Sequence, residues 1–527
     1  MLVALFGAFL VGQSFAYNYL VYNPLFAHSH ASFLGKLADT LTDAGHNVTM
    51  FAPVMNYRLA EKPVTKSTTD IITMEPDEYL NDFQHQMDNA DFGLYWIHNT
   101  DVFSTQQMID VFNMTFHRQC ELLSENQQVL QRLKNKKYDV ILFEPFNVCA
   151  FNLRRFLEIP TMIISTSLPL DEHTSRYIGE PIPASYVPGL WSHFGEVMNL
   201  KERMWNVFEQ LFYRDATASL QPEIFRKLGV EPYDITEEFS KTSFVFVNSN
   251  PYIDFPRPTL HKTVGIGGIT VNVTKIRQQT LEKNWHELLN AKTKTVLVSF
   301  GSVMFSKDMP IEYKLNLVRV MKSFPDVTFI WKYEDDDVSF AKDASNIVFT
   351  NWVPQSSLLA DARLSAFVTH AGLASATELS YLGIPAITVP LFADQMRNAR
   401  MLERHGNSIS IDKLDLGHYE TIKDALQRIL YEEEFTKNAK LLAEQLATQP
   451  ISPRELVIRH AEFAAKFGQI ASLDPQGRKL STFQYYLGDV ALVILATVFL
   501  VSLLLLKFFR LLSSFLFRSR SSKRKTE

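Results

Sequence analysis

The hydrophobic pattern of the first half of the chain alternates between short apolar runs and amphipathic helical stretches. Apolar runs, each typical of a buried strand, lie at 19–22, 47–52, 138–143, 161–165 and 243–248. After the first run, a loop at 23–29 precedes a helical face that consists of Phe33, Leu34, Leu37, Ala38 and Leu41. A helix at about 148–157 separates the third run from the fourth. This order of strand, helix and strand predicts a doubly wound α/β domain.

The second half of the chain repeats this alternation and predicts a second α/β domain. Its apolar runs lie at 295–299, 328–332, 347–350 and 365–369. Helical stretches are predicted at about 311–323, 420–446 and 454–467. A chain of 527 residues exceeds the size of one hydrophobic core, which also favours two domains. The predicted fold class is therefore α/β, with two parallel sheets.

The two ends of the chain have the pattern of a secreted precursor with a membrane anchor. Residues 1–16 are apolar and end in Ser14-Phe15-Ala16, so we predict a cleaved signal peptide there. The stretch 490–506 has no charged residue, and with its flanks it predicts a transmembrane helix at 487–506. The tail at 507–527 is rich in Lys and Arg and is expected to be cytoplasmic. Together these features predict a single-pass type I membrane protein.

Two kinds of short motif predict the cellular location and the modification of such a protein. Lys523 and Lys525 have the spacing of a dilysine retrieval signal, which predicts the endoplasmic reticulum; the alternative is plain stop-transfer charge. Three Asn-x-Ser/Thr triplets fit the secretory pathway and are predicted glycosylation sites: Asn47, Asn113 and Asn272.

The composition narrows the possible partners. With 46% hydrophobic and 21% charged residues, the chain reads as ordinary globular protein. A net charge of −5 gives no reason to expect a nucleic-acid partner. The two cysteines, Cys120 and Cys149, either form one disulfide or remain two buried thiols.

Polar residues at predicted strand ends mark the candidate chemistry. In doubly wound sheets, ligands bind in the crevice outside the carboxyl ends of the strands. His30 and Glu144 lie at such ends in the first domain. In the second domain, the strand at 365–369 leads through His370-Ala371-Gly372 into a helix. A small-residue turn at a helix N-terminus presents N–H groups to an anion, and a diphosphate would suit this site.

Two further motifs have structural interpretations that compete with chemical ones. The acidic run Glu334-Asp335-Asp336-Asp337 follows a strand, and we favour a solvated loop over a metal site. The glycines of Gly265-x-Gly267-Gly268 lack a following helix, so a turn is favoured over a phosphate loop. No other cluster has the spacing of metal ligands, and we predict no metal.

The stretch from Asn351 to Asn398 carries a specific signature. It begins Asn351-Trp352-Val353-Pro354-Gln355, continues through Thr369-His370-Ala371-Gly372 and Thr377-Glu378, and ends Phe392-Ala393-Asp394-Gln395. In this order it resembles the donor signature of the UDP-glycosyltransferase family, of the membrane-anchored UDP-glucuronosyltransferase and glucosyltransferase type. The resemblance implies the glycosyltransferase B fold, in which two Rossmann-like domains face a cleft that holds the sugar donor.

The resemblance also implies roles for individual residues. Those it assigns to the donor are Trp352 and Gln355 for the uracil, Glu378 for the ribose, Ser302, His370, Gly372 and Ser375 for the diphosphate, and Asp394 and Gln395 for the sugar hydroxyls. His30 matches the position of the catalytic base, with His28 as its competitor. Glu144 falls on the acid that orients this base.

The activity that the resemblance implies is inverting, metal-independent transfer of glucose or glucuronate. The donor would be UDP-glucose or UDP-glucuronate, used as a co-substrate without a further cofactor, and the acceptor a small lipophilic molecule with a hydroxyl group. The choice of sugar stays open, with Arg257 as a candidate partner for a glucuronate carboxylate. The resemblance also leaves a homo-oligomer open.

Two positions depart from the family pattern. Ala371 stands where Gly is frequent, and Ala374 where Asn or Gly is frequent. Ala374 removes a side-chain contact that Asn would offer to the phosphate. These departures keep an alternative open, namely a catalytically weak or inactive membrane glycoprotein that binds lipophilic ligands or partners through the same fold.

The predicted domain organisation follows from these patterns. The segments are a signal peptide (1–16), an acceptor-binding α/β domain (17–262), a linker (263–293), a UDP-sugar-binding α/β domain (294–450), return helices with a membrane-proximal segment (451–486), a transmembrane helix (487–506) and a basic cytoplasmic tail (507–527).

Overall fold

Two parallel β-sheets organise the larger unit of the chain, which extends to Leu473. The computed structural model describes residues 16–88, 93–99, 102–212 and 223–523. A smaller unit begins at Asp474. The predicted signal peptide at 1–16, apart from its last residue, lies outside the described residues, as do the last four residues of the predicted tail.

The first sheet has the strand order β3-β2-β1-β4-β5-β6-β7, and all of its pairs are parallel. Its strands are β1 Asn18–Tyr22, β2 Asn47–Pro53, β3 Asp70–Met74, β4 Val140–Phe143, β5 Thr161–Thr166, β6 Phe244–Val247 and β7 Thr263–Gly265. The central strands β1, β4 and β5 are buried almost throughout, because helices cover both faces of the sheet. The strand order reverses between β1 and β4, which is where doubly wound sheets bind ligands.

The helices of this region complete the doubly wound pattern. They are α1 His28–Asp43, α2 Tyr57–Ala60, α3 Glu78–Asp88, α4 Leu94–Ile97, α5 Val102–Glu125, α6 Gln127–Lys134, α7 Cys149–Phe156, α8 Glu172–Ile178, α9 Leu200–Phe212 and α10 Ile235–Ser240. The predicted loop at 23–29 ends too late, because α1 already begins at His28. His30 therefore lies in the first helical turn, where burial of Ala31, Phe33 and Leu34 extends the helix toward its N-terminus.

The second sheet has the order β10-β9-β8-β11-β12-β13 and is also parallel. Its strands are β8 Lys294–Ser299, β9 Val327–Lys332, β10 Ile347–Thr350, β11 Leu364–Thr369, β12 Ala386–Thr388 and β13 Ser408–Ser410. Its helices are α11 Val273–Arg277, α12 Lys283–Asn290, α13 Ile311–Lys322, α14 Gln355–Leu359, α15 Leu373–Leu382, α16 Gln395–Glu403, α17 Tyr419–Tyr431 and α18 Glu433–Ala447. The predicted α/β class with two parallel sheets is confirmed.

The segment after α18 returns to the first sheet. Helix α19, Pro453–Phe467, starts at a Ser452 cap and has a proline in its first turn. Its Val457, Ala461 and Ala464 are fully buried in the core that also contains Tyr19 and Val21 of β1. Small side chains along one face allow this helix to approach the sheet closely.

The segment 263–293, predicted as a linker, contains β7, α11 and α12. The glycines at its start form a tight turn, which is the structure that the sequence favours over a phosphate loop. A Cβ on Gly267 would lie 2.6 Å from the backbone N of Asn250, and Gly268 has a φ of +96°. The linker thus begins with the edge strand of the first sheet, and the remaining domain boundaries stay predictions.

The two cysteines form a disulfide between α5 and α7. Cys120 and Cys149 are both buried in the core of the first domain. The sequence leaves open one disulfide or two buried thiols, and the structure contains the disulfide. It ties α7, which follows the Glu144 loop, to the long helix α5.

The smaller unit consists mainly of one long apolar helix. After the short α20, Thr482–Tyr485, helix α21 extends over Gly488–Lys523. Within its segment Gly488–Phe515, the most apolar window of 18 residues has a mean hydropathy of 2.7 and no buried residue. At about 1.5 Å per residue it is long enough to cross the ~30 Å core of a bilayer. The helix continues past residue 506 into the segment predicted as a tail.

Candidate active site

A cavity of about 860 Å³ lies where the carboxyl ends of both sheets converge. His30 and every residue that the sequence assigns to the donor line this one cavity. Glu144 is 1% exposed and lies behind His30. Residues that the sequence predicted separately, from segments far apart in the chain, are therefore brought together.

The imidazole of His30 is held by two groups of the first domain. Its Nδ1 lies 2.9 Å from Glu144 Oε2 and 2.8 Å from Ser167 Oγ. The backbone N–H of Ser167 donates to Glu144 Oε1 over 2.9 Å, which fixes the carboxylate. With the proton on Nδ1, the N–H donates to Glu144, and Nε2 remains as the basic atom of the ring. This is the arrangement of a base with an orienting acid.

Aromatic rings surround this imidazole on the acceptor side. The ring centroids of Phe26 and Phe146 lie 4.7 Å and 5.6 Å from that of His30. Phe116 packs against both of these rings, at 5.1 Å and 5.3 Å. The wall next to the base is therefore apolar, and it suits a lipophilic molecule.

The turn that follows β11 holds His370 between two glycines. A Cβ on Gly301 would lie 2.7 Å from His370 Cε1, and one on Gly372 would lie 2.6 Å from His370 Nε2. Burial, with a contribution from the nearby Lys332 charge, lowers the pKa of His370 to about 4. His370 is therefore neutral at pH 7 and can donate one ring N–H to an anion.

The two departures from the family pattern occupy different places in this turn. Ala371 is fully buried and has a φ of +62°, in the left-handed region that favours glycine. Such backbone costs an L-residue about 1–2 kcal/mol. Asn398 stabilises the turn by donating its amide to the carbonyl of Ala371 over 3.1 Å. Ala374, at the start of α15, lines the cavity with its methyl group.

A polar network occupies the end of the cavity expected to hold the nucleoside. Gln355 Nε2 donates to Glu378 Oε2 over 2.7 Å and to Ser375 Oγ over 3.1 Å. Ser356 Oγ donates to Glu378 Oε1 over 2.6 Å. The indole of Trp352 is 66% exposed and available for stacking. The side chains expected at uracil and ribose are thus already organised.

The residues expected at the sugar begin α16. Asp394 is 8% exposed, and its Oδ2 accepts a 2.7 Å hydrogen bond from Asn398 Nδ2. Burial raises the pKa of Asp394, and the hydrogen bond from Asn398 opposes that shift. Gln395 Oε1 accepts from the backbone N–H groups of Leu391 and Phe392, which leaves its amide nitrogen for a ligand.

Helix α16 also holds the two domains together beside the cavity. Arg397 forms a buried ion pair with Asp254, with 2.7 Å between Nη2 and Oδ1. Arg400 donates to the carbonyl of His193 over 3.2 Å, and Arg404 pairs with Glu196. The helix that carries the sugar residues therefore also fixes the acceptor-domain loop around residues 188–196.

Several residues of the site were not predicted from the sequence. Ser167 follows β5 directly, so the rule of carboxyl strand ends would have found it. Lys332 lines the cavity; its Nζ donates to the carbonyl of Gly301 and to Glu334 Oε1 over 2.8 Å and 2.7 Å. Glu334 in turn accepts from the backbone N–H of Ser306, so the first residue of the acidic run has a structural role.

Two sequence-based candidates lie in unsuitable places. Arg257 does not line the cavity; its guanidinium donates to Ser175 Oγ over 2.9 Å and faces Glu180. Asn113 is 8% exposed and lines the cavity itself, so its packing argues against a glycan at this sequon. Asn47 and Asn272 are exposed and stay predictions.

The chain is similar in sequence to known proteins over most of its length. Residues 20–524 match the family described as "UDP-glucoronosyl and UDP-glucosyl transferase". The Caenorhabditis briggsae protein ugt-47 is 27% identical over 523 residues, which cover 97% of this chain and 95% of that protein. UDP-glucuronosyltransferase 1A3 of Homo sapiens is 25% identical over 489 residues, covering 91% and 88%.

The fold also resembles solved glycosyltransferases. The structure titled as the glycotransferase of kitacinnamycin matches with a TM-score of 0.59 at 17% identity, over 86% of this chain and 98% of that one. This likeness confirms the predicted glycosyltransferase B fold. Because the family match covers nearly the whole chain and the signature residues converge on one cavity, the chain belongs to the family of UDP-glucuronosyl and UDP-glucosyl transferases and is a UDP-glycosyltransferase.

Proposed function

We propose that this enzyme transfers glucose from UDP-glucose, with inversion at C1, to a hydroxyl of a small lipophilic acceptor. The observation that carries the proposal is the pairing of His30 Nδ1 with Glu144, while His30 lines the same cavity as the donor residues. In this mechanism His30 Nε2 accepts the proton of the acceptor hydroxyl. The acceptor oxygen attacks C1, the bond from C1 to the diphosphate oxygen breaks, and UDP leaves. Glu144 stabilises the imidazolium that results.

The donor residues have complementary roles in the proposal. The leaving diphosphate gains charge during transfer, and donors already aimed at it lower the barrier. His370, neutral at pH 7, would donate its ring N–H to the diphosphate. The hydroxyl groups of Ser302 and Ser375 and the backbone N–H groups that follow Gly372 would also donate to it. Trp352, Gln355 and Glu378 would hold the uridine. Ala374 offers no polar contact, so the backbone N–H groups at the start of α15 would do more of the binding.

The charges near the expected sugar position favour glucose over glucuronate. The carboxylate of Asp394 would face the sugar, and a second carboxylate on the sugar would be repelled by it. The ammonium group of Lys332 already pairs with Glu334. UDP-glucose and UDP-glucuronate, compared as donors with one phenol, test this point. A higher kcat/KM with UDP-glucuronate would contradict it.

We further propose a lumenal, metal-independent enzyme of the endoplasmic reticulum, anchored by a single span within α21. Asn47 and Asn272 would carry glycans. Digestion with an endoglycosidase should shift the electrophoretic mobility of the protein, and Asn47→Gln and Asn272→Gln should each reduce that shift. Asn113→Gln should not change it. Loss of transferase activity with EDTA would contradict metal independence.

Release of UDP by the membrane-bound protein tests the activity as a whole. UDP-glucose with a panel of phenols and aliphatic alcohols should give a β-glucoside and stoichiometric UDP. No release with any donor and acceptor would favour the alternative of a binding protein.

A further inference from the structure

The acceptor end of the cavity contains two carboxylates that the proposed mechanism does not use. Glu172 is the first residue of α8, and Glu209 lies near the end of α9. Both side chains line the cavity. They come from different elements, which the 184–190 segment joins, because Asn206 of α9 holds Ala184, Val187 and Gly189 through their backbones.

The hydrogen-bonding capacity of these carboxylates is only partly used. Glu209 is 4% exposed; its Oε1 accepts from Trp205 Nε1 over 2.8 Å. Its Oε2 is buried and has no hydrogen-bond partner within the described part of the chain. Glu172 Oε1 accepts from the backbone N–H of Leu190 over 2.9 Å. No Lys or Arg among the described residues forms an ion pair with either carboxylate.

Such an arrangement is electrostatically unfavourable without a ligand. Burial raises the pKa of Glu209 to about 7, and the neighbouring charge of Glu172 adds to that shift. Burial, with Asp171 next in importance, also raises the pKa of Glu172. Buried carboxylates in proteins are normally paired, because a lone buried charge is costly. A cation bound in the cavity would supply the missing partner.

The wall around this pair suits an organic cation. Tyr177 and Trp191 also line the cavity, and Trp191 follows Leu190, whose backbone N–H donates to Glu172. Aromatic faces attract ammonium groups, and together with a carboxylate they distinguish a protonated amine from a metal ion. The apolar rings near His30 would hold the body of the same molecule.

We propose that Glu172 and Glu209 form an ammonium-binding subsite, so that preferred acceptors carry a protonated amine in addition to the hydroxyl that is glycosylated. This inference rests on the proposed function, since it assigns a class of acceptor to the same cavity. The amine binds at the Glu172 and Glu209 end, while the hydroxyl lies at His30. The subsite determines which acceptor is used and takes no part in the chemical step.

Two phenols that differ in charge test the subsite. Tyramine carries a protonated amine at neutral pH, and 4-propylphenol is a neutral molecule of similar size. The full-length enzyme in membranes is assayed for UDP release with each phenol. We expect kcat/KM for tyramine to exceed that for 4-propylphenol by tenfold or more. Glu172→Gln and Glu209→Gln should each reduce this ratio by about tenfold while leaving 4-propylphenol turnover within twofold.

The control is Glu202→Gln, which removes a carboxylate of the same helix α9 that caps the backbone N–H of Asn199 outside the cavity. This variant should keep the wild-type ratio. A ratio near one in the wild type, or a ratio unchanged in both cavity variants, would overturn the inference. If neither phenol is glycosylated, the proposed function fails for phenols, and equilibrium binding of the two phenols to the UDP-loaded protein decides the subsite. Equal affinities would then overturn it.

Discussion

The carboxylate of Glu144 offers the most quantitative test of how the site works. Glu144→Gln keeps the shape of the side chain and can still accept the backbone hydrogen bond from Ser167, now 2.9 Å long. It removes the negative charge 2.9 Å from His30 Nδ1. In the transition state the imidazole becomes positively charged, so the lost interaction is a charge-assisted hydrogen bond worth about 1.5–3 kcal/mol.

This free energy converts directly into a rate. At about 1.4 kcal/mol per factor of ten, kcat/KM should fall by about 10- to 150-fold. UDP release under subsaturating acceptor measures this ratio, and calorimetry measures the dissociation constant of UDP. The affinity for UDP should not change, because Glu144 lies behind His30 and does not line the cavity. A Glu144→Gln enzyme within twofold of the wild type would refute the role of Glu144, as would a loss explained entirely by weaker UDP binding.

Three further predictions concern the turn of His370 and the disulfide. Gly301→Ala should raise the dissociation constant of UDP about tenfold, because the added Cβ would lie 2.7 Å from His370 Cε1 and the residue has a φ of +88°. The control is Gly195→Ala, where the added Cβ meets open space, and it should leave the dissociation constant unchanged in the same titration. Because the pKa of His370 is low, only the unfolded state takes up a proton on this residue as the pH falls from 6.5 to 4, and the ligand-free protein should lose stability. The free energy of unfolding, measured in denaturant melts, should fall by at most about 3 kcal/mol. The fall should be smaller in His370→Gln. Replacing Cys120 and Cys149 together by Ala should reduce the free energy of unfolding by about 3.5 kcal/mol, because the bridge closes a loop with a sequence separation of 29; an unchanged melting temperature would argue against the bridge.

The parts of the fold that the sequence predicts well are those with a local physical signal. The buried strands at 140–143, 161–166 and 294–299 each contain an apolar run of at least three residues, so they stand out from the segments around them. Strands β12 and β13 have only three residues each, too few for a pattern, and they were not predicted. The start of α1 was placed too late because its N-cap, Ala27, carries no capping side chain.

The residues of the site likewise divide into those with a local sequence signal and those without one. The donor residues lie mostly within one stretch, 351–395, so the signature itself brings them together. The pair of His30 and Glu144 is separated by 114 residues and needed the rule that ligands bind at the carboxyl ends of parallel strands. The same rule would have found Ser167, which follows β5 directly, whereas the contact of Lys332 with Gly301 is a tertiary contact that no local pattern contains. The burial of Asn113 was invisible for the same reason, because a sequon carries no information about tertiary packing.

The left-handed backbone of Ala371 shows what a family signature can leave out. A resemblance identifies the departure from glycine but not its cost. In the structure the carbonyl of this residue accepts from Asn398, which also holds Asp394. The strained turn and the carboxylate of Asp394 therefore depend on a single amide. An alanine is tolerated at position 371 because the surrounding contacts determine the backbone conformation.

The central claim is that His30 removes the proton from the acceptor while the second domain holds the UDP-sugar. The direct test is glycoside formation by His30→Ala, measured by mass spectrometry in parallel with the dissociation constant of UDP. His28→Ala is the matched control, since His28 lies two residues earlier in the same helical turn. We predict that His30→Ala lowers product formation at least 100-fold with unchanged UDP affinity, while His28→Ala stays within about threefold of the wild type. Retained turnover in His30→Ala, or loss confined to His28→Ala, would contradict the mechanism.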